Sequence, residues 1–154
     1  MTLTTPEITR DVTLGALRLM DQMAMACVTE MRLANGRRSD IMALGEKGEI
    51  WIVEVKSCRA DYESDAKWHE YRPFCDKLFF AVNQDFPQDL IPRDTGLIIA
   101  DRFGGALIRP APEHKLAGAR RKSLTLKLAR QAARRSTAVQ LGLAQQGALA
   151  LSDS

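Results

Sequence analysis

Two apolar runs on either side of Gly45-Glu46-Lys47-Gly48 constrain this chain more than any other feature. Ser39 to Leu44 and Glu49 to Lys56 read as strands, and a turn with two glycines joins them into a hairpin. If the turn centres between Glu46 and Lys47, cross-strand partners sum to about 93, which sets Asp40 opposite Val53 and Glu54. Side chains at i and i+2 of a strand share a face. Ile50, Ile52, Glu54 and Lys56 therefore lie together, on a face that starts in the core and ends in charge.

The other elements fall into place around that hairpin. Thr5-Pro6-Glu7 reads as a helix start, with a capping hydroxyl, a proline at the first helical position and an acid in the first turn. Ile8, Val12, Ala16, Leu19, Met20 and Met23 recur at helical spacing to about residue 25. Ala26 to Leu33 reads as a strand, closed by the turn Asn35-Gly36. Asp61 to Arg72 has the pattern of a polar helix stopped by Pro73, with Lys67 and Tyr71 one turn apart. Lys77 to Val82 is a continuous apolar run, hence a buried strand. Phe86 to Pro92 reads as a loop, and Gly96–Ala100 with Ala106–Ile108 as a second hairpin. Pro110-Ala111-Pro112 is the best boundary, separating residues 1–110 from a helical extension over 111–154. The economical arrangement is an α/β fold with a central mixed sheet flanked by helices.

Charge separates the two parts. Residues 1–113 hold 14 Lys/Arg against 18 Asp/Glu, and residues 114–154 hold 8 against 1, within a net +3. A mildly acidic body with a strongly basic C-terminal helix points to a polyanionic partner. That helix can track a DNA backbone through Arg130 and Arg134, or pack its Leu124/Leu128 stripe on the body or on a second subunit, which would make a homodimer. At 154 residues the chain is long enough for one real core. Its apolar runs are too short to span a bilayer, and its first residues carry no leader pattern. Cys27, Cys58 and Cys75 form neither a disulfide framework nor a zinc motif, so a reducing cytoplasm is the expected compartment.

Two carboxylates side by side repel one another, and a divalent cation resolves the repulsion. Oxygen ligands with no Cys or His among them favour Mg²⁺ or Mn²⁺ over zinc. Lys56 could then orient a water or stabilise charge on a phosphate. The structural alternative is a cross-strand ion pair at a sheet edge. Glu7 is either a further acid for the site or a favourable charge at a helix N-terminus. Trp51, Phe79 and Phe80 belong to the core, Trp68 and Tyr71 can be core or stacking residues, and His69 and His114 read as surface residues.

Asp40 followed by Glu54-Val55-Lys56 resembles the signature of the PD-(D/E)xK nuclease superfamily, with Ser39 in place of its proline. A longer block is similar to the MmcB-type family of bacterial DNA-repair proteins. It comprises Arg37-Arg38-Ser39-Asp40, Ile50 through Ser57, Asp61 through Trp68, and Tyr71 through Cys75-Asp76-Lys77 to Val82. The resemblance implies a restriction-endonuclease-like core and Mg²⁺-dependent hydrolysis of DNA during repair. On this reading Asp40, Glu54 and the Val55 carbonyl hold the metal and Lys56 acts on the water or phosphate. Arg38, Ser57, Lys67, Arg130 and Arg134 contact DNA, and other repair proteins are expected partners. A non-catalytic DNA-binding adaptor that keeps the nuclease fold is the alternative.

Overall fold

The computed structural model describes residues 2–64 and 68–152, with the side chains of 64 and 144–152 left aside. Helix α1 (Thr5–Gln22) leads into strands β1 (Ala26–Arg32), β2 (Arg38–Leu44) and β3 (Ile50–Val55). After a short helix α2 (Arg59–Ser64) and a 3₁₀ segment (Trp68–Phe74) come β4 (Lys77–Val82), β5 (Gly96–Asp101) and β6 (Gly104–Arg109). The long helix α3 (Gly118–Ser152) follows. The six strands form one sheet in chain order, β1 to β6. β3, β4 and β5 run parallel, while the remaining neighbours pair antiparallel.

Helix α1 begins as the sequence suggests, one residue earlier in its cap. Thr4 is the N-cap: its backbone amide donates to Glu7 Oε2 at 2.7 Å, and Glu7 N–H donates back to Thr4 Oγ1 at 3.4 Å. Glu7 is thereby spent on its own helix, and these hydrogen bonds from Thr4 lower its pKa. The apolar stripe of α1, with Val12, Ala16 and Met20 fully buried, packs on one sheet face with Ile41, Val53, Phe79 and Ile98. The opposite face carries Met42, Ile50, Ile52, Phe80 and Leu97, and is covered by the 3₁₀ segment and α3.

The β2–β3 turn uses Gly48 at φ +89°, a conformation that favours glycine. Its register is Ile41↔Val53 through Leu44↔Ile50. One step further along that register, Asp40 stands directly across from Glu54, a residue nearer than the offset of about 93 suggests.

The polar helix expected over 61–72 is a correction. Among the described residues, α-helix covers Arg59–Ser64, and Trp68–Phe74 is 3₁₀ rather than α-helix, with Pro73 inside it. Trp68, Tyr71 and Phe74 are the buried residues, three apart, which is the repeat of a 3₁₀ turn rather than of an α-helix. Trp68 and Tyr71 are thus core residues on this face.

The C-terminal extension shares that core. Leu116, Leu124 and Leu128 are buried in it, so the Leu124/Leu128 stripe packs on the body. Ala132, the third residue of the stripe, is exposed. At the root of α3, Asp76 accepts from the backbone amides of Ile50 and Leu116, at 2.8 Å each. It also takes a two-pronged bond from Arg121, at 2.6 and 2.7 Å. Burial works against the Asp76 carboxylate, but the Arg121 and amide hydrogen bonds outweigh it and hold its pKa at about 2.

Candidate active site at the ends of β2 and β3

Asp40, Glu54 and Lys56 meet because a hairpin register and a two-residue strand period agree. Asp40 follows the parity of Met42, and Glu54 and Lys56 that of Ile52, so all three belong to the face covered by the 3₁₀ segment. The two acids are latched across the strands. Asp40 N–H donates to Glu54 Oε1 at 3.2 Å, and Val55 N–H donates to Asp40 Oδ2 at 2.8 Å. Glu54 is only 2% exposed and Lys56 5%. The Lys56 backbone amide donates to Ala81 O at 3.0 Å, which anchors the end of β3 on β4.

Glu54 has its pKa raised well above the ordinary carboxylate range. Burial is the largest cause, followed by the charge of Asp40 and a carboxyl–carboxyl hydrogen bond. The Asp40 amide and the Lys56 charge pull the other way without prevailing. Burial beside the Asp40 carboxyl thus favours the protonated form of Glu54.

That is the electrostatic condition a cation relieves. Among the described residues no group of three or more His, Cys, Asp and Glu side chains is placed to hold a metal. The available donors are therefore two carboxylates and a backbone carbonyl such as that of Val55. Mg²⁺ commonly takes one or two protein carboxylates and completes its shell with water and substrate phosphate, so the donor set fits Mg²⁺ or Mn²⁺.

The remaining residues expected around the site fall in different places. Arg38 lies two residues before Asp40, with its side chain 59% exposed and 4.0 Å from Glu30. Ser57 is buried, and both its amide and its hydroxyl donate to Asp61 Oδ2, at 3.1 and 3.4 Å. Its hydroxyl is thus committed to the start of α2. Lys67 lies outside the described residues. Arg130 and Arg134 are exposed on α3. His69 is exposed and stacks on Trp68, and His114 is exposed with its ring against Arg72.

Three features beside the site carry no conspicuous sequence signal. Glu30 sits across from Asp40 on β1 and adopts φ +52°, unusual for a residue with a side chain. A small groove between β1, β2 and α3 is lined by Glu30, Arg32, Arg38, Lys127 and Gln131, which brings the basic helix to the Asp40 flank. Arg135 reinforces this contact, donating to Thr29 Oγ1 at 3.4 Å and to Glu30 O at 3.5 Å. Tyr62 on α2 meets Phe80 and Phe86 edge-on, linking the site's end of β3 to the connection after β4.

No curated protein matches the chain. A solved structure of a protein of unknown function from Silicibacter pomeroyi is 44% identical, with a TM-score of 0.84 over 91% of this chain and 94% of that one. The family described as DNA repair protein MmcB-like matches residues 3–142. With nearly the whole chain inside that match, the protein belongs to the MmcB-like family of DNA repair proteins.

Proposed function

We propose that this protein is an endonuclease of DNA repair, hydrolysing DNA phosphodiester bonds in a reaction that depends on Mg²⁺ or Mn²⁺. The observation that carries the reading is the cross-linked pair of half-buried Asp40 and buried Glu54, with buried Lys56 two residues along the same face. Asp40, Glu54 and the Val55 carbonyl would hold the ion. When bound, Mg²⁺ lowers the pKa of a coordinated water and offsets charge on the phosphate oxygens. The protein's own part is to fix both carboxylates through cross-strand amides, so that little reorganisation is needed during reaction. Lys56, held at the end of β3 and shielded from solvent, would orient the attacking water or donate to a phosphate oxygen. Arg38 on one flank and Arg130 and Arg134 on α3 would hold the backbone.

The test is cleavage by the full chain of duplex, forked, bubble and single-stranded DNA, with Mg²⁺, Mn²⁺ or chelator. Cutting that needs the ion and disappears in both Glu54→Gln and Lys56→Ala supports the reading. Cutting that survives either substitution overturns it.

A second reading has an observation of its own. The carboxylates already satisfy one another's strands through hydrogen bonds, and Glu54 is 2% exposed. An adaptor that keeps this fold and binds DNA without cutting would look the same. It predicts salt-sensitive binding with no turnover on any of the four substrates.

A further inference from the structure

β3, β4 and β5 run parallel, so their C-terminal ends share one end of the sheet, where open α/β sheets gather their ligands. Glu54 aligns with Phe80, and Phe80 with Leu97. Two residues beyond Leu97, Ile99 lies on the same face and pairs with Ala106. Two strand spacings across and two residues along place Ile99 about 12 Å from Glu54. Over Ile99 and Ala106 opens a cleft of about 570 Å³, walled by Asn83, Gln84 and Asp85 after β4 and by Phe103 at the β5–β6 tip. That volume lies within the range of small-molecule sites.

Phe103 is 75% exposed, the most exposed large apolar residue described. It is nonetheless held in position. Asp101 Oδ1 accepts from the amides of Phe103 and Gly104 at 2.8 and 3.2 Å, and Arg18 on α1 donates to Arg102 O at 3.2 Å. The Arg102 guanidinium lies 4.7 Å from the ring centroid. A fixed, solvent-facing aromatic ring beside a polar cleft has no role in the core.

We propose that this cleft receives an unpaired nucleobase of the DNA strand, with Phe103 as its stacking platform. The inference rests on the reading of the chain as a DNA enzyme and names its substrate class. The cleft walls bring two carboxamides, Asn83 and Gln84, and two carboxylates, Asp85 and Asp101. The carboxylates disfavour a phosphate, and the set together offers donors and acceptors to a base edge. On the other flank of Asp40 and Glu54 the groove holds three cations, Arg32, Arg38 and Lys127, against one carboxylate, Glu30, a net positive lining that suits phosphates. A strand crossing the carboxylate pair therefore has its backbone gripped on the β1 side and a base taken up on the β6 side. At about 3.4 Å per stacked nucleotide, 12 Å to the cleft floor is three to four nucleotides. Phe103 lies beyond Ile99 at the hairpin tip, so the base taken up is at least that far from the reacting phosphate. Intact duplex has no base free at that distance. The preferred substrates are single strands, bubbles and forks.

Binding in the Glu54→Gln background without metal separates this inference from the question of cleavage. Fluorescence anisotropy with bubble, single-stranded and duplex DNA should show Phe103→Ala weakening the first two about tenfold, as expected for one lost base–aromatic stack. Duplex affinity should stay within about twofold, and Phe103→Trp should restore the lost affinity. A 2-aminopurine stepped through the unpaired positions of the bubble should change its fluorescence at one position with the protein and at none with Phe103→Ala. Equal effects of Phe103→Ala on all substrates, or none, overturn the inference. A dimer in sedimentation that Phe103→Ala dissociates also overturns it, because Phe103 would then serve a second copy. Selective binding with no cleavage leaves the cleft assignment standing and removes the nuclease reading. Glu54-dependent cleavage indifferent to Phe103 does the reverse.

Discussion

The backbone amide of Asp40 donates to the carboxyl of Glu54, while the carboxyl of Asp40 accepts from the amide next to Glu54, that of Val55. Each acid is thus held by the strand that carries the other. A displacement of either strand by one residue would break both bonds and turn one carboxyl to the opposite face. The hairpin register is therefore what makes the site, and the burial of Glu54 is what gives it an unusual proton affinity.

That affinity predicts a pH signature. Glu54 keeps its proton in the folded protein at pH values where the unfolded chain, near the ordinary 4.5, has lost it. Below that value both states are protonated and the group is neutral to stability. As pH rises through the interval up to the raised folded pKa, stability is lost. Glu54→Gln keeps the acceptor oxygen and removes the titration. Its Tm relative to the parent should therefore rise as pH goes from 4 to 8. A Tm difference that is flat across that range would contradict the assignment.

Most of the fold is legible in the sequence because most of its signals are local. Asn35-Gly36, the glycine pair around Glu46-Lys47 and the run Lys77–Val82 each mark their element, and the parity of Ile50, Ile52 and Glu54 puts the acid on the right face. Trp68–Phe74 is harder, because spacings of three and four both fit a few residues and only tertiary burial selects the 3₁₀ repeat. The partners of Asp76 lie 26, 40 and 45 residues away in sequence, at Ile50, Leu116 and Arg121, and no local pattern announces them. The Phe103 cleft is assembled from two connections, each of which looks like an ordinary turn.

Asp76 is expected to be the most sensitive charged position for stability. Its side chain is 3% exposed and Arg121 is 25% exposed. Asp76→Ala strands two amides and leaves the guanidinium with the Gly48 carbonyl in place of its carboxylate, and breaking such a pair costs about 3–5 kcal/mol. Because the folded pKa is lowered to about 2 from 3.8, the contribution is present above 3.8 and fades as pH falls toward 2. Urea unfolding at pH 7 should show a much lower midpoint with an unchanged slope for Asp76→Ala, and a smaller loss for Asp76→Asn. Equal midpoints would show that the carboxylate is not holding α3 to the sheet.

Arg130 and Arg134 face solvent, so their substitution tests DNA contact without disturbing the core. Replacing both with Glu should weaken binding to every DNA sequence alike. It should also lower the slope of log affinity against log salt by about 2 for duplex, one unit for each lost phosphate contact. A titration between 50 and 200 mM salt reads this directly. An unchanged slope would move the DNA path away from this face of α3.

Gly15 governs how closely α1 approaches the β5–β6 hairpin. A Cβ there would lie 2.0 Å from Asp101 O and 2.5 Å from Gly104 O, both backbone atoms that cannot rotate aside. Two effects compete in Gly15→Ala. Alanine favours the helix by about 1 kcal/mol over glycine, while forcing a methyl group into a closed contact costs about 1–3 kcal/mol. At separations this short the contact prevails, and α1 must move away from Asp101, Gly104 and the turn that bears Phe103. Gly15→Ala should therefore lower the urea midpoint although it improves helix propensity. It should also weaken bubble DNA binding more than duplex binding, since the Arg18 bond to Arg102 O loosens with the helix. A variant more stable than the parent would mean that α1 and the hairpin are not in close contact.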